Sequence, residues 1–177
     1  MKILSLDLEL NQDPSSGPKI IEIGACVGNI STGEIVESYS AFVNPKQKLL
    51  NHIIKLTSIT QEQVDTGHTL EEAYLGMEEL ARKHDCLTMP IVWGMGDGHA
   101  LRQELSTHIE WAFGKRELDV KAVFQAYQMA FTQKVQAGLA KAMTRLELAF
   151  KGKKHRAVDD AMNTFIIYCA LLKKFRE

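Results

Sequence analysis

One stretch, Ile3-Leu4-Ser5-Leu6-Asp7-Leu8-Glu9-Leu10, constrains the fold of this chain more than any other. Apolar residues leading into two acids predict a strand over 3–10, and residues two apart on a strand share a face. Asp7 and Glu9 therefore point the same way from the end of a buried strand. Two adjacent carboxylates repel one another and lose hydration together, an arrangement that a cation between them relieves. An isolated pair of this kind is met more often on an exposed edge strand, so the rest of the chain has to decide.

After that strand, residues 11–18 (Asn-Gln-Asp-Pro-Ser-Ser-Gly-Pro) are dense in turn formers and read as a loop. Residues 19–29 and 34–43 are rich in β-branched side chains and are joined by Ser31-Thr32-Gly33, which predicts three successive antiparallel strands. Asn44-Pro45 ends this segment. The period then becomes helical. A short helix is expected over 49–56, and Thr60 with Gln63, and Thr69 with Glu72, have capping-box spacing. Tyr74, Met77, Leu80 and Ala81 give the helix after Thr69 an apolar stripe. A strand is expected over 90–93, a helix over 97–113, a short strand over 118–120, and helices over 121–131, 137–149 and 158–175. This order describes an α/β sandwich with a mixed sheet in a single domain spanning residues 1–177.

The composition excludes several classes. A net charge of -1 implies no long-range attraction to nucleic acid or to an anionic membrane, so phosphate binding must come from local clusters or bound metal. The clearest such cluster is Lys151, Lys153, Lys154 and Arg156, which reads as a solvated loop or a phosphate contact. Cys26, Cys86 and Cys169 are scattered, without the spacing of a disulfide framework or a cysteine zinc site, as suits a reducing cytoplasm. The N-terminal apolar run is broken at Asp7, and the run 165–172 is far short of the ~20 residues of a membrane span. The expectation is a cytoplasmic protein without a membrane partner, monomeric or homodimeric.

Two further places present acids. In Trp93-Gly94-Met95-Gly96-Asp97, the last residue stands where a strand gives way to a helix, and the helix dipole favours an acid there with or without metal. In His155-Arg156-Ala157-Val158-Asp159-Asp160-Ala161, a histidine and two acids precede an apolar helix. Asp159 and Asp160 fall on opposite flanks of its stripe, so periodicity leaves open which turns inward.

With these residues in place, the chain resembles the DEDDh group of 3′-to-5′ exonucleases. These are DnaQ-like enzymes of the RNase H-like fold, shared by proofreading subunits, RNase T and oligoribonuclease. Asp7 and Glu9 match the first motif, and Ile20-Ile21-Glu22-Ile23-Gly24-Ala25 is similar to the family's second strand. Asp97 matches the second motif, in a Trp93-Gly94-x-x-Asp97 form most similar to the RNA-acting branch related to enhanced-RNA-interference exonucleases. His155 and Asp160 match the third, which makes Asp160 the ligand and Asp159 its neighbour. The chain departs from the common pattern at Leu10-Asn11, at Gly96, and at Ser58, where the family usually has glycine.

The resemblance implies an RNase H-like mixed sheet of about five strands flanked by helices. It also implies a metal-dependent hydrolase that removes nucleoside 5′-monophosphates from the 3′ end of single-stranded nucleic acid, RNA or short oligonucleotides ahead of DNA. Two divalent cations, Mg²⁺ or Mn²⁺, are implied cofactors, held by Asp7, Glu9, Asp97 and Asp160; carboxylates suit these hard ions. His155 is the implied catalytic base, and Glu9, Leu10 and Asn11 are the implied seat of the terminal nucleotide. Trp93 is a candidate for base stacking or for the core. A non-catalytic nucleic-acid-binding or regulatory protein of the same fold is the alternative.

Overall fold

The computed structural model describes residues 1–131 and 136–176. Five strands, β1 (Lys2–Asp13), β2 (Gly17–Asn29), β3 (Glu34–Phe42), β4 (Ile91–Val92) and β5 (Leu118–Asp119), form one mixed sheet. Their order is β3-β2-β1-β4-β5: the first three are antiparallel, while β4 and β5 run parallel to β1. The helices are α1 (Asn51–Thr57), α2 (Gln61–Asp65), α3 (Leu70–Lys83), α4 (Asp97–Glu104), α5 (Val120–Phe131), α6 (Leu139–Arg145) and α7 (Ala157–Lys174).

Helices cover both faces of the sheet, which explains why β1 and β2 are buried on both sides. The even-numbered Leu4, Leu6 and Leu8 pack with Tyr74 and Met77 of α3 and Leu101 of α4. Ile3 packs on the other face with Phe165, Ile167 and Leu171 of α7 and Phe124 of α5. Strand alternation places Asp7 and Glu9 on this second side, facing α7. Among the described residues, no helix is long and apolar enough to cross a membrane.

Both capping boxes form as their spacing predicts. The Gln63 and Glu72 side chains accept from the backbone N–H groups of Thr60 and Thr69, whose hydroxyls accept in return from the N–H groups of Gln63 and Glu72. Two expected boundaries move. Residues 11–18 do not form a loop: the ladder continues through Asn11↔Lys19 to Asp13↔Gly17, leaving a turn of three residues. The Asp13 carboxylate holds that turn by accepting from the backbone and hydroxyl of Ser15 and the hydroxyl of Ser16. The helix expected over 97–113 stops at Glu104, because Leu105 turns extended. Trp111 and Phe113 are thereby released to pack on Tyr74, with ring centroids 5.6 Å and 6.2 Å away. The Tyr74 hydroxyl accepts from the Ala112 N–H at 2.8 Å, which fixes the irregular segment. α6 is shorter than its expected span at both ends, closing at Arg145, and α7 runs from Ala157 to Lys174, one residue earlier than expected at each end.

Ser58 closes α1 in the left-handed conformation, with φ 60° and ψ 18° and its N–H on the Ile54 carbonyl. A side chain is disfavoured in that geometry, and glycine relieves it. Ser58→Gly is expected to raise stability by about 1 kcal/mol, read as a higher urea midpoint at unchanged slope.

Candidate active site

Asp7 and Gly24 are paired across the β1–β2 ladder. A Cβ on Gly24 would overlap the Ala157–Val158 peptide, so glycine at this position is what lets the first turn of α7 lie directly on the sheet. That close approach brings Asp160 beside the β1 acids. A second fastening is Glu22, fully buried in β2. Its carboxylate accepts from Arg156 Nη2 at 2.8 Å and Nε at 3.1 Å, from the Ala157 N–H at 3.0 Å, and from the Ser40 hydroxyl at 3.0 Å. Arg156 also lies over the Phe42 ring, 5.1 Å from its centroid. This guanidinium is therefore engaged internally, and the basic cluster read from the sequence loses it as a phosphate contact.

The loop before α7 is built to present His155. Asp159 turns back into that loop, its Oδ2 accepting from the Lys153 N–H at 2.8 Å. Asn163 clasps Lys151, donating to its carbonyl and accepting from its N–H. His155 itself is exposed and left-handed, with φ 60°. Ligating atoms of Glu9, His155 and Asp160 all lie within 4.8 Å of one another. The helix start alone left Asp159 and Asp160 equivalent; the fold turns Asp159 to the loop and Asp160 to the acids.

Asp97 arrives from the loop that follows β4. Gly96, with φ 137°, caps α4 without a side-chain hydrogen bond, and Asp97 is the first helical residue. Burial and the neighbouring charge of Glu117 push the Asp97 carboxyl up to about 7. The Asp7 carboxyl is held well above the usual carboxylate range, by burial first and then by the charges of Asp97, Asp160, Glu9 and Glu22. Burial and the charge of Asp160 push Glu9 up to about 8, and burial raises Asp160 to about 6 against the pull of the His155 N–H. Four carboxyls thus crowd one another beside the central strand, past the end of its pairing with β4.

The arrangement fits divalent cations on two counts. All four acids offer hard oxygen donors, and Asp160 Oδ1 is buried with no hydrogen-bond partner among the described residues. A buried carboxylate oxygen left without a donor is costly unless a cation meets it.

The remaining sequence candidates divide. Leu10 is half-buried and packs against the α3-side core. Asn11 is fully buried, its amide donating to the Lys48 carbonyl at 3.1 Å and its oxygen accepting from the Leu50 N–H at 3.0 Å. Its side chain holds the approach to α1 and does not reach the acids, so any contact it makes with a nucleotide comes from the backbone. Trp93 packs on Phe124 at 5.9 Å, in the core. The sequence reading missed the role of Glu22, although one acid inside the apolar run Ile20–Ile23 was its signal. Glu117 was missed as well; its side chain is 4 % exposed, lies over Gly98, and carries no sequence signal.

Known proteins similar to this chain in sequence and fold include exonucleases. The RNase T family model, described as an exonuclease, matches residues 4–168. The probable 3′-5′ exonuclease KapD of Bacillus subtilis is 30 % identical over 154 residues, covering 85 % of this chain and 72 % of that protein. Mouse ERI1 exoribonuclease 2 is 27 % identical over 179 residues, covering 89 % of this chain but only 26 % of its own length. Among solved structures, the nuclease domain of 3′hExo, a DEDDh family member bound to rAMP, superposes with a TM-score of 0.83 at 21 % identity. It covers 98 % of this chain and 92 % of that one.

Because the site acids are raised, the metal-free folded chain binds more protons than the unfolded chain between roughly pH 4 and 8. These groups therefore cost stability as pH rises through that window. The melting temperature of the metal-free protein is expected to fall from pH 5 to pH 8, and added Mn²⁺ is expected to raise it more at pH 8 than at pH 5. A thermal melt series with and without metal checks both.

Proposed function

We propose, from the premise that the chain belongs to the RNase T family of exonucleases, that it shortens single-stranded nucleic acid from the 3′ end and releases nucleoside 5′-monophosphates. Activity of the 3′-to-5′ kind follows from the family; the preference for single strands, with RNA or short oligonucleotides ahead of DNA, is our reading. The observation that carries it is the convergence of Glu9, His155 and Asp160 within 4.8 Å around a buried, unpartnered Asp160 oxygen.

In this reading Asp7, Glu9, Asp97 and Asp160 hold two divalent ions, Mg²⁺ or Mn²⁺. Such ions, when bound, supply charge neutralisation on the phosphoryl oxygens and support for the attacking and leaving oxygens. An imidazole nitrogen of His155 takes the proton of the attacking water. Imidazole suits that task because it titrates near neutrality, and the exposed loop lets it meet the substrate. The edge of β1 at Glu9 and Leu10 seats the terminal nucleotide: Glu9 accepts from the 3′-hydroxyl, and the half-buried Leu10 offers an apolar contact to the sugar or base. Glu22 and Arg156 hold the His155 and Asp160 segment in place.

Incubation with 5′-labelled RNA and DNA strands in Mg²⁺, Mn²⁺ or EDTA tests the reading. Stepwise shortening that needs metal supports it, and binding without shortening favours a non-catalytic protein of the same fold. His155→Ala is expected to lower turnover about a hundredfold while metal binding persists. Near-normal turnover in that variant removes His155 from the chemistry.

A further inference from the structure

We infer that a lysine-bearing groove leading away from the acids, past α6 to the start of α5, carries the phosphodiester backbone of the strand behind its terminal nucleotide. Lys154, Lys141 and Lys121 are its phosphate contacts. The inference rests on the exonuclease reading and extends it from the reacting end to the rest of the substrate.

A cavity of about 380 Å³ opens at Asp160 and His155 and is walled by Lys154, Phe150 and Lys141. A second, of about 520 Å³, shares Lys141 and Gly138 with it and continues to Lys121 and Gln125. The two join at Gly138, where, among the described residues beyond its chain neighbours, no atom lies within 4 Å of the position a Cβ would take. Lys121 reaches back toward the catalytic edge. Its Cδ lies 3.6 Å from the Cβ position of Gly94, in the loop that delivers Asp97.

The charges in this groove are uncompensated. Lys19, Arg82, Lys83, Arg102 and Arg156 each pair with an acid, whereas Lys121, Lys141 and Lys154 have none within 4.0 Å among the described residues. An anionic polymer approaching four acids on a chain of net charge -1 needs local cations to hold it. Three lysines along a groove that ends at those acids meet that need. Among the described residues the second cavity is lined by lysine, glutamine, alanine and glycine, with no aromatic ring for a base to stack on, whereas the first has Phe150 in its wall. Flexible ammonium groups contact phosphate as point charges, so the second cavity holds backbone without reading sequence.

The test is hydrolysis of 5′-labelled oligoribonucleotides, from a dinucleotide to an octanucleotide, in Mn²⁺ across a salt series. The enzymes compared are the unaltered chain, the double variant Lys121→Glu with Lys141→Glu, and Lys173→Glu at the far end of α7. For the unaltered chain, KM is expected to fall with strand length. The double variant loses that length dependence, and on the octanucleotide its log–log salt slope is shallower by about 0.7 for each lysine replaced. Lys173→Glu behaves as the unaltered chain. An equal change in KM for dinucleotide and octanucleotide, or no change for either, overturns the groove while leaving the exonuclease reading intact. Failure of the unaltered chain to shorten any strand overturns both.

Discussion

Four carboxyls that repel one another are held together beside the central strand of a sheet, and much of the local structure serves to keep them there. Burial first, and then the charges of neighbouring acids, raise Asp7, Glu9, Asp97 and Asp160 together, so the metal-free cluster opposes folding. Contacts elsewhere offset that cost. α7 is brought onto β2 by the missing side chain at Gly24, and Glu22 locks the same turn through Arg156, Ala157 and Ser40. A buried ion pair of this kind contributes little net stability against an apolar alternative, but removing one partner is expensive. Its value here is geometric: it fixes the backbone between His155 and Asp160.

The division of labour between the two flanks of β1 follows from strand alternation. Even-numbered leucines anchor the strand against α3 and α4, and odd-numbered residues face α7 and become acids past Ser5, where the pairing with β4 has ended. The loop before α7 is held firmly at Lys151 and Lys153 by Asn163 and Asp159 but leaves the His155 side chain in solvent. A base that has to meet water and substrate is thus carried by a secured backbone, while the acids stay half-buried. The lysines of α5 and α6 lie on the open side of this arrangement, where an incoming strand would first meet them.

Much of this was legible in the sequence, and the reasons are physical. Capping boxes are local, so Thr60 with Gln63 and Thr69 with Glu72 marked their helices correctly. The period-two pattern fixed the face shared by Asp7 and Glu9. Where long-range contacts compete with local signals, the sequence misled. Turn formers in 11–18 suggested a loop, yet the ladder compresses them into a tight turn; the helical pattern past Glu104 yields to the stacking of Trp111 and Phe113 on Tyr74. Asn11 sits directly after the motif acids but is spent on the backbone of Lys48 and Leu50, contacts 37 and 39 residues away that no local pattern reveals. Periodicity left Asp159 and Asp160 open, the spacing from His155 in the resembling motif chose Asp160, and the loop contact of Asp159 with the Lys153 N–H agrees.

The account depends most on the claim that these acids form a cation site, and calorimetric titration of Mn²⁺ tests it most directly. The unaltered chain is predicted to bind about two ions, and Asp7→Ala, with its far-UV circular dichroism unchanged, is predicted to lose that binding. Equal Mn²⁺ stoichiometry and affinity in the two proteins would contradict the account.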